Sequence, residues 1–170
     1  MTTRRRIAAT MGAAAAVFAL TTAPAFAGSA HFIGNLTSAS ISGMDLKVDF
    51  KEAGLESGSV ETITAAAHLD ATYQCINGGA NNPSDAKKTT VSAEVSQSGQ
   101  FTAGKNGNVV GSLLVSAPSA ASVLDCPSGQ TSTLTQVVYS NVTVTDETSG
   151  AFLSIPGTFS AGAKVGHGNQ

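Results

Sequence analysis

Histidine, cysteine and carboxylate side chains carry most protein chemistry, and this sequence uses the first two sparingly. It has three histidines, His31, His68 and His167, and two cysteines, Cys75 and Cys126. His68 and Asp70 stand two residues apart in a run of alternating apolar and polar residues, so both project from one face of a strand. A His–Asp pair beside a strand serine or threonine has the residue types of an activated hydroxyl nucleophile. Acyl-transfer chemistry also needs a sharp turn that presents the serine, and no Gly-x-Ser-x-Gly elbow occurs anywhere in the chain. We therefore expect a solvated strand face, no catalytic residues and no enzyme. His31 falls near the start of the exported part, and His167 falls in a Gly-rich C-terminal tail that we expect to be flexible.

Metal and sugar chemistry are equally thin. No His/Cys cluster has zinc spacing. Asn77, Asn81, Asn82 and Asp85 make an oxygen-rich loop, and Asp146 with Glu147 makes a second acidic spot. One or two carboxylates per loop are too few for a dedicated calcium cage, and Asn, Gly and Pro are what any turn uses. We expect no metal and no cofactor. Trp is absent and Tyr73 and Tyr139 are the two tyrosines, which leaves little for stacking a sugar.

The two cysteines are read through the N-terminus. Arg4, Arg5 and Arg6 precede an apolar Ala-rich stretch from Ile7 to Leu20, then Pro24, then the small-x-small sequence Ala25-Phe26-Ala27. This is a secretory signal over residues 1–27, with Sec and twin-arginine routes both open. Cys75 and Cys126 lie in the exported part and are expected to form one disulfide in an oxidising compartment. Closing a loop of that length restricts the unfolded chain by roughly 4 kcal/mol.

Removing the first 27 of the 170 residues also removes every arginine, leaving six lysines against eleven acidic residues, a net charge of about −5. There is no basic patch for phosphates, so nucleic acid is excluded as a partner. No later apolar run approaches the length of a membrane span, so no membrane role is expected after cleavage. Hydrophobic residues make up 42% of the chain, enough for a core.

Period-2 patterning dominates the remainder. From Val60 to Ile76, the residues Ile63, Ala65, Ala67, Leu69, Ala71, Tyr73 and Cys75 fall on one face and Thr62, Thr64, His68, Asp70, Thr72 and Gln74 on the other. Leu46, Val48 and Phe50 alternate with Lys47, Asp49 and Lys51, and Val91, Ala93 and Val95 with Ser92, Glu94 and Ser96. Another strand runs from about Leu134 through Val144, with a phase shift at Val137-Val138 that predicts a bulge or two-sided burial. Asn106-Gly107, between Phe101 and Val109, is a hairpin signal. Ala151–Ile155 and a short run at Phe159 follow, and no helical period is seen after residue 27. We expect an all-β, antiparallel two-sheet β-sandwich of about eight strands, immunoglobulin-like in architecture, forming a single domain over residues 28–170.

Asp70-Ala71-Thr72-Tyr73-Gln74-Cys75 resembles the immunoglobulin tyrosine corner, where a Tyr stands two residues before a Cys. It differs in sitting at the first Cys, without any Trp. The segments Ala71–Gly79, Cys126–Thr131 and Tyr139–Thr143 look like small secreted actinobacterial β-proteins of no assigned activity, a resemblance that brings no site residues with it. The expected function is a secreted, extracellular, non-enzymatic protein that binds an unknown ligand or partner or forms part of the extracellular surface. Its candidate binding loops carry Asn77, Asn81, Asn82, Asp85 and Asp125. The alternative is a protein–protein module, such as a protease inhibitor with a disulfide-tethered loop.

Overall fold

The computed structural model describes residues 29–78 and 87–162. The expected signal segment, the tail with His167, and Asn81, Asn82 and Asp85 lie outside the described residues. The described chain forms β1 (His31–Phe32), β2 (Ser38–Ser42), β3 (Asp45–Ala53), β4 (Val60–Asn77), β5 (Lys88–Thr102), β6 (Val109–Val115), β7 (Gln130–Asp146), β8 (Phe152–Ile155) and β9 (Phe159–Gly162). Two short turns of helix interrupt them, a 3-10 turn at Gly34–Leu36 and α1 at Ala120–Val123. Both are single turns, too short to produce the repeating 3.6-residue pattern on which a helix is recognised, which is why the all-strand expectation missed them.

The strands form two antiparallel sheets. In the first, β3 is central, with β6 on one edge and β1 and β2 sharing the other. In the second the order is β5-β4-β7, with β8 and β9 both on the outer edge of β7. The alternation read from β4 is found as far as Tyr73, with Ile63, Ala65, Ala67, Leu69, Ala71, Tyr73 and Cys75 all buried. Beyond it the pattern stops, and Gln74, expected on the wet face, is buried as well because this end of β4 is covered on both sides. They meet Leu46, Val48 and Phe50 of β3 in the layer between the sheets. Phe50 stacks edge-on against Phe32 at 6.1 Å and Phe101 at 5.0 Å between ring centroids. Tyr73 and Tyr139 are also fully buried. Each satisfies its hydroxyl by donating to a backbone carbonyl, Tyr73 to Pro118 (2.8 Å) and Tyr139 to Met44 (2.9 Å). Burial pushes the Tyr139 hydroxyl up to about 12. Tyr73 reaches 45 residues along the chain for its partner. A tyrosine corner bonds a few residues upstream, so that corner is not made here.

Two register shifts place extra residues in β7 opposite β4, one between Gln136 and Leu134 and one between Thr143 and Ser140. The second contains Asn141, the one non-glycine among the described residues with a positive φ (51°). Before it, Val137 and Tyr139 are buried; after it, Val142 and Val144 are. The bulge thus turns the inward phase from odd to even residues, and the phase shift noticed at Val137-Val138 is resolved a few residues downstream.

The Asn106-Gly107 turn does not make a hairpin. β5 and β6, on either side of it, belong to different sheets, because β6 pairs with β3 along its whole length. The turn is tied to the β3–β4 connection through a Leu55 N–H to Gly107 carbonyl bond of 3.0 Å. A tight Asn-Gly turn serves equally well to cross from one sheet to the other, and tertiary pairing decided between them.

Candidate functional site

The sandwich has two chemically different ends. At one, Cys75, near the end of β4, is bonded to Cys126 in the β6–β7 connection, with a Cα–Cα separation of 5.6 Å. Among the described residues there are no free cysteines. The bond is helped by its neighbours. The Cys75 N–H donates to the Lys87 carbonyl (3.0 Å), and Lys87 Nζ donates to the Asp125 carbonyl (2.8 Å). Tyr73 holds Pro118 from below, and Leu124 is buried against the core. The connection from Pro118 to Cys126 is therefore pinned at both ends, with α1 between. Asn77 is exposed at the tip of β4 and pairs with Gln130, and Asp125 is exposed beside the cystine. The structure brings these two predicted loop residues to one end of the sandwich. A formed disulfide points to an oxidising compartment. Among the described residues, no helix is long and apolar enough to cross a membrane.

On the outer face of the second sheet, His68 stands opposite Glu94, and Asp70 opposite Ser92. His68 Nδ1 is 2.7 Å from Glu94 Oε1, and Nε2 is 3.0 Å from Ser92 Oγ and 3.9 Å from Asp70 Oδ1. Sequence reasoning paired His68 with Asp70 along the strand. The shorter partner is Glu94, supplied by the strand alongside, and one sequence read strand by strand does not show it. Serine, imidazole and carboxylate thus stand in the order of a nucleophile relay. They do so on an open pleated face, with the Glu94 side chain 76% exposed and Ser92 exposed. Water screens such a relay, and no turn presents Ser92 to a substrate.

The opposite end holds a feature that sequence reasoning missed. Glu52 at the end of β3, Glu61 at the start of β4 and Asp146 at the end of β7 are all buried, at 0%, 3% and 0% exposure. Ser149 Oγ donates to Glu52 Oε1 (3.1 Å), the Thr148 N–H donates to Asp146 Oδ1 (2.8 Å), and Ser59 Oγ donates to Glu61 Oε1. The 147–150 turn lies against the trio, fixed by the Glu147 N–H to Thr62 carbonyl bond (2.9 Å) and the Gly150 N–H to Asp146 carbonyl bond (2.8 Å). Glu52 Oε2 and Asp146 Oδ2 are buried without an N–H or O–H donor. The two carboxyls lie within reach of each other, but ionised carboxylates can only accept, so neither satisfies the other. Burial, then the Asp146 charge, push Glu52 up to about 7; burial also raises Glu61. Among the described residues, no group of three or more His, Cys, Asp or Glu side chains is disposed to hold a metal ion.

The signal was present in the pattern. Extending the inward phase of Leu46, Val48 and Phe50 by one step reaches Glu52. Extending Ile63 backwards reaches Glu61, and Val142 and Val144 forwards reaches Asp146.

No protein-family profile matches this sequence, and no curated protein does. Among solved structures, the solution structure of R. palustris CsgH is matched with 13% sequence identity and a TM-score of 0.22, over 78% of this chain and 91% of that one. A likeness at that level carries no argument, and the sandwich architecture stands on the strand pairing described above.

Proposed function

We propose that this is a secreted, extracellular, non-enzymatic binding protein whose binding face is the cystine end. The observation that supports the reading is the pinning of the Pro118–Cys126 connection. One disulfide, one tyrosine and one lysine hold this irregular segment rigidly against the tip of β4. A loop held in one conformation loses little entropy on binding, and rigid scaffolds carry their recognition loops at such ends. Asn77 and Asp125 supply polar groups there. The helical turn α1 disfavours the Pro118–Cys126 connection as the inhibitory loop of a protease-inhibitor module, because a segment that docks as a substrate strand must be extended; the other loop of that reading, 77–85, lies mostly outside the described residues.

The test presents the purified secreted protein to washed cell envelope and to fractionated culture supernatant, and measures saturable binding. We expect Asn77→Ala with Asp125→Ala to weaken that binding about tenfold or more, while Lys47→Ala on a distant face leaves it unchanged. Equal effects of the two variants would overturn the assignment of the face. In parallel, covalent labelling of Ser92 by a fluorophosphonate probe, abolished by His68→Ala, would overturn the non-enzymatic reading.

A further inference from the structure

β5 is the outermost strand of the second sheet. It pairs with β4 along its whole length and, among the described residues, with no other strand. Its C-terminal part is crowded by the other sheet: a Cβ built on Gly99 would stand 3.1 Å from Leu113 Cδ2. β6 has seven residues and leaves from the C-terminal end of the fifteen-residue β5, so it reaches back along no more than about half of it. Among the described residues, the stretch from Lys88 to Val95 is therefore an open sheet edge, the kind of surface that recruits another strand.

The hydrogen-bond phase of that edge is set by one bond at its start and by an unbroken register. Cys75 N–H donates to the Lys87 carbonyl at 3.0 Å, so these two residues form a hydrogen-bonded pair. The β4–β5 register runs without a slip from Gln74 opposite Lys88 to Val60 opposite Thr102. Hydrogen-bonded and non-hydrogen-bonded pairs alternate in an antiparallel ladder. The odd residues of β5 thus bond to β4, and the backbone N–H and C=O groups of Lys88, Thr90, Ser92 and Glu94 point outward from the edge. The side chains of these same four residues are exposed.

We propose that two copies of this chain pair through these stretches, antiparallel about a two-fold axis at Val91, so that their second sheets become one continuous sheet. The phase requires even residues to face even residues. Lys88 and Glu94 are the two charged residues of β5, six positions apart. The register centred on Val91 sets Lys88 opposite the partner's Glu94, twice, and Thr90 opposite the partner's Ser92, twice. Centring on Ser92 sets each charge opposite a neutral residue, and centring on Glu94 sets two carboxylates against each other. His68 already holds one oxygen of Glu94 at 2.7 Å, which fixes the side chain and leaves the other oxygen for the partner's Lys88. The charges that guard the edge against indiscriminate pairing become complementary in this one register.

The experiment is sedimentation velocity of the secreted protein over a range of concentrations. The wild type is expected to shift from monomer to dimer as concentration rises. Lys88→Glu and Glu94→Lys should each raise the dissociation constant about tenfold or more, and the double swap should restore dimerisation. The natural cysteines are already bonded to each other, so Val91→Cys adds the single free thiol. It sits on the axis in a non-hydrogen-bonded pair and should give a covalent dimer in air, whereas Val95→Cys should not. A wild type that stays monomeric throughout, a double swap that fails to rescue, or cross-linking of Val95→Cys as readily as Val91→Cys overturns the proposal.

Discussion

Replacing Glu52 by glutamine should change how the stability of this protein depends on pH, in a direction opposite to ordinary carboxylates. Glu52 is fully buried, and its pKa stands at about 7 where an exposed glutamate has 4.5. Between those values the folded chain holds a proton that the unfolded chain has released. Stability is therefore fully present below about pH 4.5 and is lost as pH rises through about 7. Each tenfold change in proton affinity is about 1.4 kcal/mol, so the whole displacement corresponds to a loss of about 3 kcal/mol. The side-chain amide introduced by Glu52→Gln cannot ionise. Its oxygen can accept from Ser149 as Glu52 Oε1 does, and its NH2 can donate to Asp146 Oδ2, which has no donor in the wild type. Denaturant unfolding at intervals from pH 5 to pH 8 measures the effect. Glu52→Gln should match the wild type near pH 5 and exceed it by roughly 2–3 kcal/mol at pH 8. The difference between the two proteins isolates Glu52 from every group they share. A wild type that gains stability relative to Glu52→Gln as pH rises would refute the reasoning.

Three other outcomes are expected. Leu69→Asp puts an unpaired charge into the core and should cost several kcal/mol by thermal or chemical denaturation, while Thr72→Asp on the outer face should cost about 1 kcal/mol or less. Gly111→Ala should lower stability by roughly 1–3 kcal/mol, because a Cβ there would stand 2.5 Å from Phe101 Cε1 and 2.7 Å from Phe50 Cζ, inside the aromatic stack. Removing the disulfide by Cys75→Ser with Cys126→Ser should accelerate amide hydrogen exchange over residues 117–130 more than in β4 or β7, and equal acceleration everywhere would show the bond acting only as a general staple.

Much of the fold was legible because the sheets are half-wet. In β3, β4 and β7 one face is apolar and the other carries Ser, Thr, Lys or Asp, so the period of two reports both the strand and its inward side. The cystine was legible because two cysteines downstream of a segment that reads as an export signal leave one simple pairing. Pairing between distant strands was not legible. Nothing local says that β6 lies beside β3 and not beside β5, so the Asn106-Gly107 turn read as a hairpin. For the same reason, the partner of His68 read as Asp70, its neighbour along the strand, when the closest is Glu94 across it. The carboxyl trio was missed for a different reason. Each inward phase ends on an acid, and an acid at a strand end reads as the point where burial stops. Only the convergence of three such ends, with the 147–150 turn against them, makes burial of all three the more favourable arrangement.

The two ends of the sandwich also oppose each other energetically. The disulfide constrains the unfolded chain by about 4 kcal/mol, and ionising Glu52 removes about 3 kcal/mol above neutral pH. Glu61 and Cys75 are separated by fourteen residues of one strand, roughly 45 Å apart at the usual rise. Sites that far apart with no shared partner act additively. Loss of the cystine and ionisation of Glu52 should therefore add, so the reduced protein should be less stable than the oxidised one by a similar amount at pH 5 and pH 8, and least stable above pH 7. A cycle of four proteins checks this: wild type, Glu52→Gln, the double-serine variant, and the combination, each unfolded at pH 5 and pH 8. The combination should regain at pH 8 most of what the double-serine variant loses between pH 5 and pH 8. A coupling larger than about 0.5 kcal/mol between the two ends would mean that they are not independent, and that β4 transmits strain from the cystine to the buried carboxyls.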